Sequence, residues 1–197
     1  PKLIIERFES AEQMHQLDRL LIPLAIESII ENGESGVFYN INISSQTLES
    51  ADVMADILAF INKTKEELKL KQIDLCFEIT ETVRITDYKQ VIFHIEHLRK
   101  FGLKIAIDDF GVGNNALLLY ALVNPNYVKL SHDLIRHLDS EDATCRITNI
   151  LTQLRNHHIN VVVEGVESKE LLSLAKKLGA EFFQGFLLHR PEVFSTL

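Results

Sequence analysis

The chain has 197 residues, of which 46% are hydrophobic, and a formal net charge of −8 at pH 7. Its length suits one large domain with a hydrophobic core. The negative charge argues against binding to a nucleic-acid backbone, so no DNA partner is expected. No apolar run is long enough to span a bilayer, and the amino-terminal residues do not resemble a signal peptide.

Helix-like and strand-like patterns alternate along the whole chain. In chain order, the predicted elements are helix 11–31, strand 37–44, helix 48–68, strand 73–79, helix 87–101, strand 103–108, helix 115–122, strand 127–130, helix 141–157, strand 159–163, helix 168–178 and strand 180–183. Ser10 is a predicted N-cap for the first helix, and Asn62-Lys63-Thr64 is a predicted break in the second. The alternation predicts parallel strands connected by helices.

These patterns give six strand–helix units. A closed (β/α) barrel needs eight strands and typically about 250 residues. Either the sheet is open, therefore, or two strands lie outside this chain.

The two cysteines, Cys76 and Cys145, do not have the spacing of metal ligands. Cys76 falls inside a predicted strand, where we expect it to be a small buried hydrophobic residue. A reduced, cytoplasmic location fits this cysteine usage best.

Each predicted strand ends in polar side chains that can coordinate a cation, move a proton or hydrogen-bond a ligand. They are Asn42 with Ser44, Glu78 with Glu81, Asp108 with Asp109, Lys129 with Ser131, Glu164 with Glu167, and Gln184. At a single strand end, a carboxylate that caps the next helix would be the simpler explanation. Six such ends together favour a shared site, because the carboxyl ends of parallel strands meet at one face.

The chemistry of these side chains favours a hard metal ion. Asn42, Glu78, Asp108 and Asp109 all offer oxygen ligands, which suit Mg²⁺ or Mn²⁺ and make a zinc–thiolate site implausible. One aspartate bridging two ions roughly 3.5–4 Å apart is a layout that activates water for attack on a phosphoryl group. Two adjacent carboxylates are costly to bury without such a cation.

Two further residues have open interpretations. Lys129 stands between two apolar residues at a strand end, so a role in stabilising charge or orienting water is favoured over a solvated surface lysine. Gln184 is a candidate contact to a base or a phosphate, although an ordinary turn residue would look the same.

Six segments carry a resemblance to a known family. They are Asn42-Ile43-Ser44, Glu78-Ile79-Thr80-Glu81, Ile107-Asp108-Asp109-Phe110-Gly111-Val112-Gly113, Val128-Lys129-Leu130, Val163-Glu164-Gly165-Val166-Glu167, and Gln184-Gly185-Phe186 running to Arg190-Pro191. In order and spacing they resemble the EAL domain, a family of phosphodiesterases that linearise cyclic di-GMP. Each segment alone is weak, but the ordered set is specific and covers essentially the whole chain.

The resemblance implies a role for each matching residue. Asn42, Glu78 and Asp108 would bind a first metal ion, and Asp108 with Asp109 a second. Lys129 and Glu164 would be catalytic, positioning and polarising the attacking water. Glu81 would stabilise the loop after Asp109, and Gln184 would contact the substrate. The implied cofactors are two Mg²⁺ or Mn²⁺ ions.

The resemblance also implies a fold and partners. The fold would be an α/β, TIM-like (β/α) barrel of the EAL type. The ligand would be cyclic di-GMP, hydrolysed to linear pGpG in bacterial second-messenger signalling. A homodimer would form through the loop and helix after Asp109.

Three features depart from the family pattern. The strand with the name-giving Glu-Ala-Leu is absent, so residues 1–197 are expected to be a single EAL-like domain lacking its first strands. Val112-Gly113-Asn114-Asn115 replaces the usual Thr-Gly-Tyr-Ser, and Ser131 replaces an aspartate. These departures favour the alternative, a catalytically inactive receptor for cyclic di-GMP or a protein-interaction module.

Overall fold

A computed structural model of the protein describes residues 5–8, 13–80, 85–110, 115–131, 134 and 141–191. Its helices are α1 (Met14–Asn32), α2 (Ser45–Glu49), α3 (Ala51–Leu70), α4 (Tyr88–Lys100), α5 (Asn115–Val123), α6 (Glu141–Asn156) and α7 (Lys169–Lys177). Its strands are β1 (Phe38–Ser44), β2 (Asp74–Thr80), β3 (Lys104–Phe110), β4 (Tyr127–Leu130), β5 (Asn160–Val163) and β6 (Phe182–Phe183). Every predicted strand is present.

The described residues fall into two compact units, one ending at Ile105 and the other beginning at Ala106. In the first unit, β1 and β2 pair in parallel over their full length, from Phe38 opposite Asp74 to Ser44 opposite Thr80. Helices α1 and α3 pack against each other, and α1 also packs against β1. The spacing of the buried residues of α1 explains this packing, since Ile26 lies four positions from both Ile22 and Ile30 and three from Ile29, which places these residues on one face of the helix.

In the second unit, β3, β4, β5 and β6 lie side by side in chain order, and each neighbouring pair is parallel. Val161 and Val163 of β5 are buried, and α6 packs against this strand. Helix α7 begins where the sequence predicts, because the Ser168 side chain accepts a hydrogen bond from the N–H of Leu171. Alternating helices and parallel strands confirm the α/β class predicted from the sequence.

The predicted break at Asn62-Lys63-Thr64 is wrong. Helix α3 runs through it, and the Thr64 hydroxyl donates to the carbonyl of Phe60 at 3.0 Å within the helix. The break lies instead at Ser50, whose extended backbone separates α2 from α3. The predicted N-cap at Ser10 lies outside the described residues.

Candidate metal centre

The pairing of β3 with β4 is irregular at the carboxyl end of β3. Ile107 pairs with Val128, but the next pair joins Phe110 to Leu130. Two residues of β3 therefore oppose a single residue of β4, which is the arrangement of a β-bulge. A bulge bends its strand and changes the direction in which its side chains point.

The two residues in the bulge are Asp108 and Asp109, and the residue opposite them is Lys129. In an unbroken strand, neighbouring side chains point to opposite faces of the sheet, so two adjacent aspartates would not share a site. Asp109 has a φ of 47°, a left-handed conformation that aspartate adopts more readily than most residues. Its N–H donates to Asp108 Oδ1 at 3.0 Å. The bulge thus keeps both carboxylates at one edge.

A third carboxylate comes from the end of β5. Glu164 follows this strand directly, and its N–H donates to the carbonyl of Leu130 at 3.0 Å, which continues the hydrogen bonds between β4 and β5. One carboxylate oxygen from each of Asp108, Asp109 and Glu164 lies within 4.8 Å of the other two. The strand pairing therefore brings together three acids that are up to 56 residues apart in sequence.

Lys129 supplies the positive charge of this cluster. Its Nζ lies 2.5 Å from Glu164 Oε1 and 3.4 Å from Asp108 Oδ1, and the lysine is only 4% exposed. A buried ammonium group is stable only with such anionic partners. This burial argues against a solvated surface lysine, and a role of Lys129 in catalysis stays a prediction.

Burial raises the pKa of the Glu164 carboxyl, and the Asp108 carboxylate beside it acts in the same direction. Lys129 opposes both effects through its hydrogen bond and its charge, yet the pKa stays above the ordinary glutamate value. Glu164 therefore takes up a proton at a higher pH than an exposed glutamate does, which is the direction that makes a carboxylate a better proton acceptor.

The donor chemistry of the cluster fits a divalent cation that prefers oxygen ligands. With all groups ionised, the three carboxylates and one ammonium have a net charge of −2, which matches a divalent ion. Carboxylate oxygens are the ligands that Mg²⁺ and Mn²⁺ prefer in proteins. Asp108, Asp109 and Glu164 are the residues here that could hold such an ion.

The structure also pairs two predicted ligands in the first unit. Asn42 of β1 lies opposite Glu78 of β2 in the parallel register, so their side chains project from the same face of the strand pair. Glu78 is 5% exposed, whereas Asn42 is exposed. That Asn42 and Glu78 bind a metal ion stays a prediction.

Gln184 follows β6 and is exposed, but its backbone is fixed beside Glu164. Its N–H donates to the carbonyl of Val163 at 2.8 Å, and its carbonyl accepts from the N–H of Val166 at 2.9 Å. Its role in substrate binding stays a prediction. Glu81 lies outside the described residues, and so do residues 111–114 of the loop after Asp109.

Gly185 has a structural role that sequence reasoning did not identify. A Cβ atom at this position would lie 2.2 Å from the nitrogen and 2.4 Å from the oxygen of Val166. These are backbone atoms, which cannot move aside without disturbing the segment that begins at Glu164. The close approach is a contact between distant segments, so no local pattern in the sequence could reveal it.

We expect Gly185→Ala to lower the free energy of unfolding by about 3 kcal/mol or more, because a steric overlap adds to an unfavourable backbone angle. Chemical denaturation checks this. Gly102→Ala is the control, since Gly102 has a φ of +83° but open space around its missing Cβ. That control should lose only about 1 kcal/mol. Equal losses in the two variants would show that the contact with Val166 is unimportant.

Within the described part of the chain, none of the helices combines the length and apolar character needed to cross a bilayer.

A family model described as the EAL domain matches residues 1–191 of the chain. The cyclic di-GMP phosphodiesterase PdeA of Borreliella burgdorferi is 26% identical over 181 residues, covering 90% of this chain and 26% of that protein. The probable cyclic di-GMP phosphodiesterase PdeI of Escherichia coli is 37% identical over 132 residues, covering 66% of this chain and 17% of that protein. The chain thus spans about a quarter or less of the length of these relatives.

Among solved structures, this chain is similar to BlrP1 of Klebsiella pneumoniae in a calcium and cyclic di-GMP complex. The TM-score is 0.77 at 26% sequence identity, and the match covers 94% of this chain and 46% of that chain. The similarity confirms the TIM-like α/β fold expected from the sequence.

Proposed function

Since this chain belongs to the EAL domain family, we propose that it is the phosphodiesterase domain of a protein that hydrolyses cyclic di-GMP to linear pGpG. The observation that supports this best is the bulge in β3, which gathers Asp108 and Asp109 with Glu164 and the buried Lys129. A domain that only bound a partner protein would have no physical need for three clustered carboxylates, because their mutual repulsion is costly.

We propose two Mg²⁺ or Mn²⁺ ions as the cofactors. Asn42, Glu78 and Asp108 would hold one ion, and Asp108 with Asp109 the other. This assignment adds Asn42 and Glu78, which belong to the family motifs, to the carboxylate cluster. Bound divalent ions lower the pKa of a coordinated water and neutralise charge on a phosphoryl group. They would also attract the anionic substrate to a chain whose net charge is −8.

Glu164 and Lys129 would then act on the proton of the attacking water and on the negative charge that develops during attack. Glu164, with its raised pKa, would accept a proton from the attacking water. The Lys129 ammonium, already within hydrogen-bond reach of Glu164, would keep that carboxylate oriented and offset negative charge that develops during attack. The water oxygen would bond to phosphorus, the bond between phosphorus and one ribose oxygen would break, and that oxygen would take up a proton from solvent, which opens the ring to the linear dinucleotide.

The remaining parts of the proposal follow the family pattern. Gln184 would contact the substrate, and Glu81 would stabilise the loop after Asp109. Two copies of the chain would associate through this loop and helix α5, whose Leu122 is 39% exposed. A substrate that is a bacterial second messenger implies a cytoplasmic location.

The second candidate function is a receptor that binds cyclic di-GMP without cleaving it. Ser131 favours it, because a serine stands where the family has an aspartate two residues after Lys129. Val112-Gly113-Asn114-Asn115 favours it as well, since this loop differs from the family sequence.

One assay separates the two functions. Purified full-length protein is incubated with cyclic di-GMP and Mg²⁺ or Mn²⁺, and the products are separated by chromatography. Binding is measured in parallel with Ca²⁺ in place of these ions. We expect cleavage to pGpG. Binding without cleavage would support the receptor. A protein that neither binds nor cleaves cyclic di-GMP would contradict both proposals.

A further inference from the structure

Asp18 of α1 has a buried carboxylate and is not one of the predicted site residues. It is 7% exposed, and its neighbour Leu17 is buried on the same helix. The two hydrogen-bond partners that the structure describes for it are neutral groups of Ser44 and Thr47. Burying a carboxylate without a cation costs several kcal/mol unless its hydrogen bonds compensate, so these two contacts are important.

The hydrogen bonds described for Asp18 link it to Ser44 and Thr47, and these two residues also hydrogen-bond to each other. Asp18 Oδ2 accepts from the N–H of Ser44 at 2.9 Å and from the hydroxyl of Thr47 at 2.7 Å. Because Thr47 gives its only hydroxyl hydrogen to Asp18, the Ser44 hydroxyl donates to Thr47 Oγ1, 2.9 Å away. The N–H of Thr47 donates in turn to Ser44 Oγ at 3.2 Å. One carboxylate oxygen thus fixes both residues.

These contacts lie where β1 ends and α2 begins. Ser44 is the last residue of β1 and the N-cap of α2, so Asp18 joins α1 to the junction between the two elements. Asn42 stands two residues earlier on the same strand, opposite Glu78. Because the Asn42 side chain is short and exposed, its position depends on the backbone that carries it.

We propose that Asp18 is a positioning residue that holds the end of β1 so that Asn42 lies beside Glu78 in a geometry that binds metal. The hydrogen bonds described for Asp18 reach none of the proposed metal ligands, and it acts through the backbone of Ser44 and the hydroxyl of Thr47. The inference rests on the proposed function in one respect, the role of Asn42 as a ligand.

Two substitutions remove the contacts in different ways. Asp18→Ala removes both hydrogen bonds to the carboxylate, and Thr47→Val removes only the hydroxyl while keeping the shape of the side chain. Asp18→Asn is the conservative variant, since its amide oxygen can still accept from both donors. Thr64→Val is the matched control, because Thr64 is also buried in the first unit but the hydrogen bonds described for its hydroxyl lie within α3.

The first readout needs no metal. In two-dimensional NMR spectra of the 22.5 kDa chain, we expect the Asn42 side-chain amide signals to shift and broaden in Asp18→Ala and Thr47→Val. They should remain near their wild-type positions in Asp18→Asn and Thr64→Val. If Asp18→Ala does not fold, Thr47→Val carries the test. Unchanged Asn42 signals in every folded variant would overturn the proposal.

The second readout is the Kd for Mn²⁺, measured by calorimetry. We expect Thr47→Val to raise it by about tenfold, as loss of a group that orients a metal ligand commonly does. The same substitution should have no effect once Asn42→Ala is present, because the contact acts through Asn42. An equal effect with and without Asn42→Ala would overturn the proposal by showing general destabilisation.

Failure of the proposed function would look different. The wild-type chain would then bind no Mn²⁺, or Asn42→Ala would leave the Kd unchanged, while the Asn42 signals would still report whether Asp18 positions the strand.

Discussion

Replacing Asp108 by asparagine is expected to lower the turnover of cyclic di-GMP by about a hundredfold or more while leaving the fold intact. Asparagine has the same size and keeps an oxygen that can accept the N–H of Asp109. It removes one of the three clustered negative charges, on the aspartate proposed to bind both ions, and it removes the carboxylate 3.4 Å from the Lys129 ammonium. The loss should therefore appear in metal binding and turnover rather than in stability.

Turnover is measured with saturating cyclic di-GMP and Mn²⁺, and the fold is checked by circular dichroism. Asp74→Asn is the matched control, because it makes the same chemical change at an exposed residue that begins β2. That control should keep wild-type turnover. Equal turnover in Asp108→Asn and the wild type would end the interpretation of Asp108 as a metal ligand.

Replacing Lys129 by methionine is expected to reduce turnover by about a hundredfold or more, with cyclic di-GMP affinity changed by less than about threefold. The ammonium lies beside the group proposed to move the proton, so its effect should be larger in the transition state than in the bound substrate. Lys104→Met is the control, since Lys104 is exposed at the start of β3. Matched losses of turnover and affinity would reassign Lys129 to substrate binding.

In the absence of metal, the stability of Lys129→Met should depend on pH. Lys129 lowers the pKa of Glu164, so its removal leaves burial and Asp108 to raise that pKa further. A folded-state pKa above the unfolded value means that stability falls as the pH rises through the folded-state pKa. Lys129→Met should thus be less stable than the wild type near neutral pH, and the difference should shrink on acidification.

The strands could be predicted from the sequence because the composition of these segments is typical of strands. Segments such as Asn160–Val163 and Tyr127–Leu130 are short, rich in β-branched or aromatic residues and separated by helical patterns. Helix ends with a strong local signal were also predictable, as at Ser168. The predicted break near Thr64 failed, because a hydroxyl bonded within its own helix looks in sequence like a helix-breaking polar residue.

The site was predictable in its residue types but not in its geometry. Adjacent aspartates at a strand end are visible in the sequence, but the bulge that turns Asp108 and Asp109 toward one edge is a property of the pairing with β4. Asp18 was not identified, because its partners lie 26 and 29 residues away in sequence. Such contacts depend on tertiary structure, and no periodicity within one helix indicates them.

We propose that the bulge in β3 and the end of β5 create a site for divalent ions. Titration of the isotope-labelled chain with Mn²⁺, followed by the paramagnetic broadening of its amide signals, shows where these ions bind. We expect the signals of Asp108, Asp109 and Glu164 to broaden first, Mg²⁺ to reverse the broadening by competition, and Asp108→Asn to abolish it. Broadening that begins at exposed acids elsewhere, such as Asp52 and Asp56, or no selective broadening at all, would contradict this proposal.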